Sequence, residues 1–311
     1  MMEEQQASTI TIAIMSPGDM GHAIGRVLLA DKQQRFRVIT NLTGRSERTQ
    51  KLSNSAKIID VQTDDELVRQ ADIILSIVAA SNVKSLAQRF ASYLANDERK
   101  LYVDCNAVAP ETIESITALF PHGNFVDGCI IGPPPRLGEY IPSIYFSGRH
   151  AQKLVDLFQN AALVNTRAIG PKIGHATSLK ICESSMIKGM TAIAIQACIA
   201  ARSLGVGEIF FDQLKQSRPH LFKDINTIIP HVPPRAARWA TEMGEIAKTY
   251  ENIGLSPKIF DGAADTYRFV AEQTPLGNEI SEERKRGTTL DDAIQIMIES
   301  LDRMNQSCEH N

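Results

Sequence analysis

Ile10-Thr11-Ile12-Ala13-Ile14-Met15-Ser16-Pro17-Gly18-Asp19-Met20-Gly21-His22-Ala23-Ile24-Gly25 is the stretch that decides the fold. Ile10 to Met15 is a short apolar run rich in β-branched residues, the composition of a buried strand. Ser16 to Gly21 reads as a turn, and His22 to Leu29 as a helix with Ala23, Val27 and Leu28 facing inward. In that order the turn meets a helix start, where backbone N–H groups lack intrahelical partners and the dipole is positive. Glycine lets a pyrophosphate approach such a backbone closely, so this segment is expected to open a dinucleotide-binding unit. In the G-x-G-x-x-G pattern Ser16 replaces the first glycine, leaving Gly18 and Gly21, with Gly25 further on for helix packing. The Ser16-Pro17 pair still turns the chain. Ser16, Pro17, Gly18, Asp19, Met20 and Gly21 are the expected pyrophosphate contacts. A purely structural turn is the bland alternative.

Working outward, Phe36 to Thr40 is a second strand at β-α-β spacing. The end of that strand discriminates between nucleotides. NAD users commonly place an acid there for the ribose 2′-hydroxyl, whereas NADP users carry basic and hydroxyl groups for the 2′-phosphate. Here the loop reads Asn41-Leu42-Thr43-Gly44-Arg45-Ser46-Glu47-Arg48-Thr49, with no acid at the strand end. Arg45, Ser46 and Arg48 match a phosphate clamp, since guanidinium forks fit its oxygens. The cofactor expected is therefore NADP. The alternative is an ordinary solvated loop in which Ser46 caps a helix.

Further strands are expected at Lys57–Val61, Asp72–Val78, Lys100–Asp104, Phe125–Gly132, Ser143–Ser147 and Thr166–Ile169, with helices between most of them. Asp72–Val78 is continuously apolar, as in a central parallel strand buried on both faces. Val78 and Asn106 fall at strand ends, on the edge where open α/β sheets bind ligands, and both are expected to face the cofactor. For Asn106, a turn that bonds its own backbone is an equal alternative. Strands alternating with helices predict an α/β doubly wound parallel sheet over residues 8–169, a Rossmann-type domain.

From Ile173 the periodicity becomes helical, predicting an all-α domain over residues 170–311. Its longest helix is expected from Ile173 to Leu204, ~45 Å at 1.5 Å per residue, stopping at Gly205. On this apolar helix Lys180, Ser184 and Lys188 recur every four residues and share one face. Buried unpaired lysine is costly, so a wet active-site cleft is one explanation. A solvated stripe, or a Lys180–Glu183 ion pair, is the other. Ser217 to Arg235 carries four prolines and two histidines and reads as broken helices or a substrate-facing wall.

Composition limits the alternatives. The 311 residues allow two domains, and a formal net charge of −3 leaves no nucleic-acid footprint. Five scattered cysteines without metal-ligand spacing read as reduced thiols of an intracellular protein. The polar, acidic residues 1–8 do not read as a secretory signal. Lys188, Gln196 and Arg202 interrupt the long apolar helix, so a buried helix explains it better than a membrane span. A cytoplasmic protein with no metal and no membrane partner is expected.

The Gly18-x-x-Gly21 turn, the Asp104-Cys105-Asn106-Ala107 segment and Gly174-His175-Ala176-Thr177-Ser178-Leu179-Lys180 together resemble the β-hydroxyacid dehydrogenase and 6-phosphogluconate dehydrogenase superfamily. The resemblance spans nearly the whole chain, and Arg238 to Ala247 is similar to its branch with a small C-terminal domain. It implies a Rossmann domain, a helical second domain, a homodimer, and Lys180 as general acid/base. Ser184 stands where that family places its substrate-binding Asn, and Gly128-Cys129-Ile130-Ile131-Gly132 replaces its Ser-Gly-Gly. The function expected is hydride transfer between NADP and a small hydroxyacid or related carbonyl compound. The rivals are an imine reductase of the same architecture, which commonly carries Asp or Tyr at the Lys180 position, and a non-catalytic NADP-binding protein.

Overall fold

The structure, a computed structural model, describes residues 9–95, 97–159, 165–279 and 283–309. The chain divides into two compact units, Met1–Ile181 and Cys182–Asn311. The first unit contains β1 (Ile10–Ile14), α1 (Asp19–Leu29), β2 (Phe36–Thr40), α2 (Glu47–Ser55), β3 (Ile59–Asp60), α3 (Asp64–Gln70) and β4 (Ile73–Ser76). It continues with α4 (Val83–Leu94), β5 (Leu101–Asp104), α5 (Pro110–Thr117), β6 (Phe125–Ile131), β7 (Ser143–Ser147), α6 (Ala151–Gln159) and β8 (Asn165–Ala168). Among the described residues these form one eight-stranded sheet in the order β3-β2-β1-β4-β5-β6-β7-β8. This is the expected Rossmann-type α/β arrangement.

One pairing departs from the all-parallel expectation. β7 runs antiparallel to β6, with Gly128 opposite Phe146 and Ile130 opposite Ile144. The connection explains the reversal. A parallel return needs a crossover, usually a helix, and Pro133, Pro134 and Pro135 occupy the start of this loop, where they cannot build one.

Alternation along the strands builds the core. Ile12, Ile14, Val38, Leu75 and Val103 pack on one face with α1 and α6. Ala13, Met15, Ile39, Ile74 and Tyr102 pack on the other with α3, α4 and α5. Both faces of the central strands are therefore buried, as their uninterrupted apolar sequence requires. Gly25 is fixed by this packing, since a Cβ there would lie 2.7 Å from Ile58.

The helix α7 (His175–Ser203) runs through the division between the units. It begins after Gly174 and gives way at Gly205, both at positive φ (92° and 75°), the backbone that glycine adopts freely. Among the described residues it is the one helix with the length and apolarity to cross a membrane, and 56% of its most apolar window is buried. The second unit adds α8 (Gly207–Ser217), α9 (Pro219–Ile228), α10 (Ala236–Asn252), α11 (Lys258–Arg268) and α12 (Leu290–Glu309). Between α9 and α10 the prolines leave short 3-10 turns, Ile229–His231 and Pro233–Arg235, so this segment is broken helix. Across α10 and α11, Trp239 packs edge-on to Tyr267 at 5.3 Å and Tyr250 to Phe260 at 4.4 Å.

Candidate functional site

At the carboxyl end of β1 the chain turns tightly, with Gly18 N–H donating to the Ser16 carbonyl at 2.8 Å. Gly18 then stands at the N-cap of α1, and no side chain caps this end. The two glycines differ physically. A Cβ on Gly21 would meet the Ser16 carbonyl oxygen at 2.3 Å, so glycine is required there for the helix to close on the turn. A Cβ on Gly18 would meet nothing within 4 Å. Space therefore lies open beside an uncapped helix start, the arrangement that receives an anion.

The loop after β2 folds back onto this turn. Arg45 Nη2 donates to the Met15 carbonyl at 2.9 Å, and Arg48 pairs with Asp19 at 2.6 Å. Burial, followed by the neighbouring Arg89 guanidinium, pushes the Arg45 pKa below its ordinary value, while Asp64 opposes the shift. Arg89, on α4, is held by Asp64 at 3.0 Å, and Asn41 donates to the same carboxylate at 2.8 Å. Arg89 is a residue the sequence reading missed, because α4 gives no hint that it returns to the β2 loop. Ser46 caps α2 by accepting the Thr49 N–H at 3.3 Å. Ser46 and Arg48 are exposed, and Arg45 is half-buried.

Val78 and Asn106 meet each other. The Asn106 Oδ1 accepts the Val78 N–H at 2.6 Å, and its Nδ2 donates to Ser76 at 2.8 Å and Asp104 at 2.9 Å. Asn106 thus ties the end of β4 to the end of β5. Burial drives the Asp104 carboxyl up to about 6, against the hydrogen bonds from Asn106 and Ser76 that favour its ionised form.

The start of α7 carries an anchor that the sequence reading did not single out. No Ser, Thr, Asp or Asn stands among Pro171-Lys172-Ile173-Gly174 to cap it. Asp127 of β6 does so from across the sheet. Its Oδ2 accepts the N–H groups of Gly174 (2.9 Å), Ala176 (3.0 Å) and Thr177 (3.2 Å) and the Ser147 hydroxyl (2.8 Å). Its Oδ1 accepts the Thr177 hydroxyl at 2.6 Å. Asp127, Ser147 and Thr177 are fully buried. Burial raises the Asp127 pKa, and the Thr177 and Ser147 donors pull it back. The one sequence signal was an acid inside the apolar run Phe125 to Ile131. Asp127→Ala leaves several buried donors without an acceptor and is expected to lower unfolding free energy by about 3 kcal/mol or more. Urea denaturation measures this, and a loss under about 1 kcal/mol would contradict the capping role. Lys180 lies one turn beyond this anchor and is half-buried.

In the second unit Ser184 and Lys188 are both buried and adjacent, with Lys188 Nζ 3.4 Å from Ser184 Oγ. Lys188 is paired with Glu242 of α10, whose other oxygen accepts from Arg238 at 2.9 Å. Among the described residues no group of His, Cys, Asp and Glu is arranged to hold a metal.

Comparison with known proteins gives two matches to family models. Residues 11–108 match the model described as "NADP oxidoreductase coenzyme F420-dependent", and residues 201–270 match a domain of unknown function, DUF1932. The chain is 29% identical over 242 residues to an uncharacterized 28.5 kDa protein of Methanothermus fervidus, covering 77% of this chain and 92% of that one. Among solved structures, a conserved hypothetical protein of Sinorhizobium meliloti superposes with a TM-score of 0.66 at 23% identity, over 95% of this chain and 98% of that one. The 3-hydroxyisobutyrate dehydrogenase of Mycobacterium tuberculosis gives 0.66 at 16% identity, covering 85% and 94%. An imine reductase variant from Myxococcus stipitatus, solved with NAD+, gives 0.55 at 19%, covering 94% and 99%. In fold, the chain is similar to 3-hydroxyisobutyrate dehydrogenase and to imine reductase.

Proposed function

We propose that this chain is an NADP-dependent oxidoreductase acting on a small hydroxyacid or related carbonyl compound, with Lys180 as general acid/base. The observation that carries the reading is the uncapped start of α1, with open space at Gly18 and the guanidinium groups of Arg45 and Arg48 drawn onto the same turn. Those residues fit a dinucleotide phosphate, and the fold is shared with dehydrogenases and imine reductases. Backbone N–H groups of Asp19, Met20 and Gly21 at the start of α1 would hold the pyrophosphate, with Ser16, Pro17 and Gly18 shaping the turn beside them. Arg45, Ser46 and Arg48, backed by Arg89, would hold the 2′-phosphate. Val78 and Asn106 would wall the nucleotide at the ends of β4 and β5.

When bound, the nicotinamide supplies or accepts a hydride. Lys180 moves the proton at the substrate oxygen, and Ser184 hydrogen-bonds the substrate. Carbonyl reduction, in which Lys180 gives a proton to the substrate oxygen, is the direction this reading favours. The reading extends to a cytoplasmic homodimer. Met186, Ile187, Met190 and Ile193, all exposed on α7, make an apolar face of the kind a second copy covers.

Fluorescence titration with NADPH and NADH tests the cofactor assignment. NADPH is expected to bind more tightly, and Arg45→Ala to weaken NADPH about tenfold or more while leaving NADH unchanged. Equal binding of both nucleotides, or of neither, would overturn it.

A further inference from the structure

A lysine buried in a helical unit needs a partner, and Lys188 has an unusually complete one. Lys188 and Glu242 are 8% and 7% exposed. The pair would be costly to bury without full satisfaction of its charges. Glu242 takes Lys188 on Oε2 and Arg238 on Oε1, so two cations share one carboxylate. The Lys188 ammonium lies 5.6 Å from the centre of the Trp239 ring, within cation–π range. Its backbone is pinned as well, because the Tyr267 hydroxyl donates to the Lys188 carbonyl at 2.6 Å.

The polarity of the next contact then follows from chemistry. An ammonium has three donors and no acceptor, so at Ser184 the hydroxyl oxygen must accept from Lys188. The Ser184 hydrogen is directed elsewhere. It reaches the Glu183 carboxylate, itself an acceptor, at 3.4 Å, and an acceptor oxygen of a ligand would compete for the same hydrogen.

We propose that Lys188, locked by Glu242, is a positioning residue that orients the Ser184 hydroxyl to donate, so that the substrate group facing its hydrogen is an acceptor oxygen, carboxylate or carbonyl, which an iminium or ammonium cation lacks. This rests on Ser184 lying at the substrate, as proposed above.

Trp239, the single tryptophan of the chain, makes the test direct, because intrinsic fluorescence reports on this cluster. The full-length protein, with NADP+ present, is titrated with tartronate, a hydroxydicarboxylate, and with pyrrolidine, which is a cyclic ammonium at neutral pH. Tartronate is expected to change the emission saturably, and pyrrolidine to leave it unchanged. Lys188→Met should weaken tartronate about tenfold or more, and Lys188→Arg, which keeps a cationic donor, should restore most of the affinity. If Lys188→Met does not fold, Ser184→Ala keeps the ion pair and should show the same loss. Wild-type tartronate affinity in a folded Lys188→Met or in Ser184→Ala, or saturable binding of pyrrolidine in preference to tartronate, overturns the proposal. Because the titration needs no turnover, a protein that binds tartronate this way yet transfers no hydride would lose the oxidoreductase reading and keep this one.

Discussion

Lys180→Ala is expected to lower kcat by about a thousandfold while NADPH affinity stays within about twofold of wild type. The size of the effect is what the proposed proton-donor role of Lys180 implies. Its selectivity comes from the architecture. Lys180 follows directly on a helix start whose backbone is held by Asp127, Ser147 and Thr177, so truncating the side chain leaves the helix where it was. The nucleotide turn, between β1 and α1, is built from different elements. Lys180→Met, which keeps the side-chain bulk without the amine, should be as inactive as the alanine variant and equally stable. NADPH oxidation followed by absorbance on a panel of short oxo-acids measures all three proteins. Near-normal turnover by either variant would remove Lys180 from the chemistry.

Much of this molecule was legible before any coordinates. The apolar runs at Ile10 and Asp72 gave central strands because a strand buried on both faces has no polar side to show, and the sheet places them side by side. The long helix announced its end through Gly205, whose positive φ few other residues adopt without cost. The reversal of β7 was harder to see. Strand direction depends on the connection, and three prolines fix the shape of a loop without stating where it leads.

The site divided along the same line. Local features, the glycine turn and the Arg45–Arg48 loop, could be named as candidates from sequence because their residues lie close together in the chain. Asp127, Arg89 and Glu242 were not, since each acts on a partner far along the chain: Asp127 on Thr177, Arg89 beside Arg45, Glu242 on Lys188. A buried charge inside an apolar run is the trace such residues leave. Asp127 in β6 and Lys188 in α7 both leave it, and in each the structure supplies the compensating partners that an interior charge demands.

The nucleotide cradle is tested most directly by Gly18→Val. Gly18 has an ordinary negative φ of −71° and open space where a Cβ would project, so valine fits the backbone without a clash. Losing glycine at an N-cap costs about 1 kcal/mol at most, a shift of a few degrees in Tm. Gly21 offers no such separation, because any side chain there strikes the Ser16 carbonyl and disturbs the turn itself. In Gly18→Val the added methyl groups fill the space assigned to the pyrophosphate. The expected result is a folded protein with near-native Tm and NADPH affinity reduced about a hundredfold or more. A folded Gly18→Val protein that binds NADPH as the wild type does would contradict the cradle, and with it the oxidoreductase built upon it.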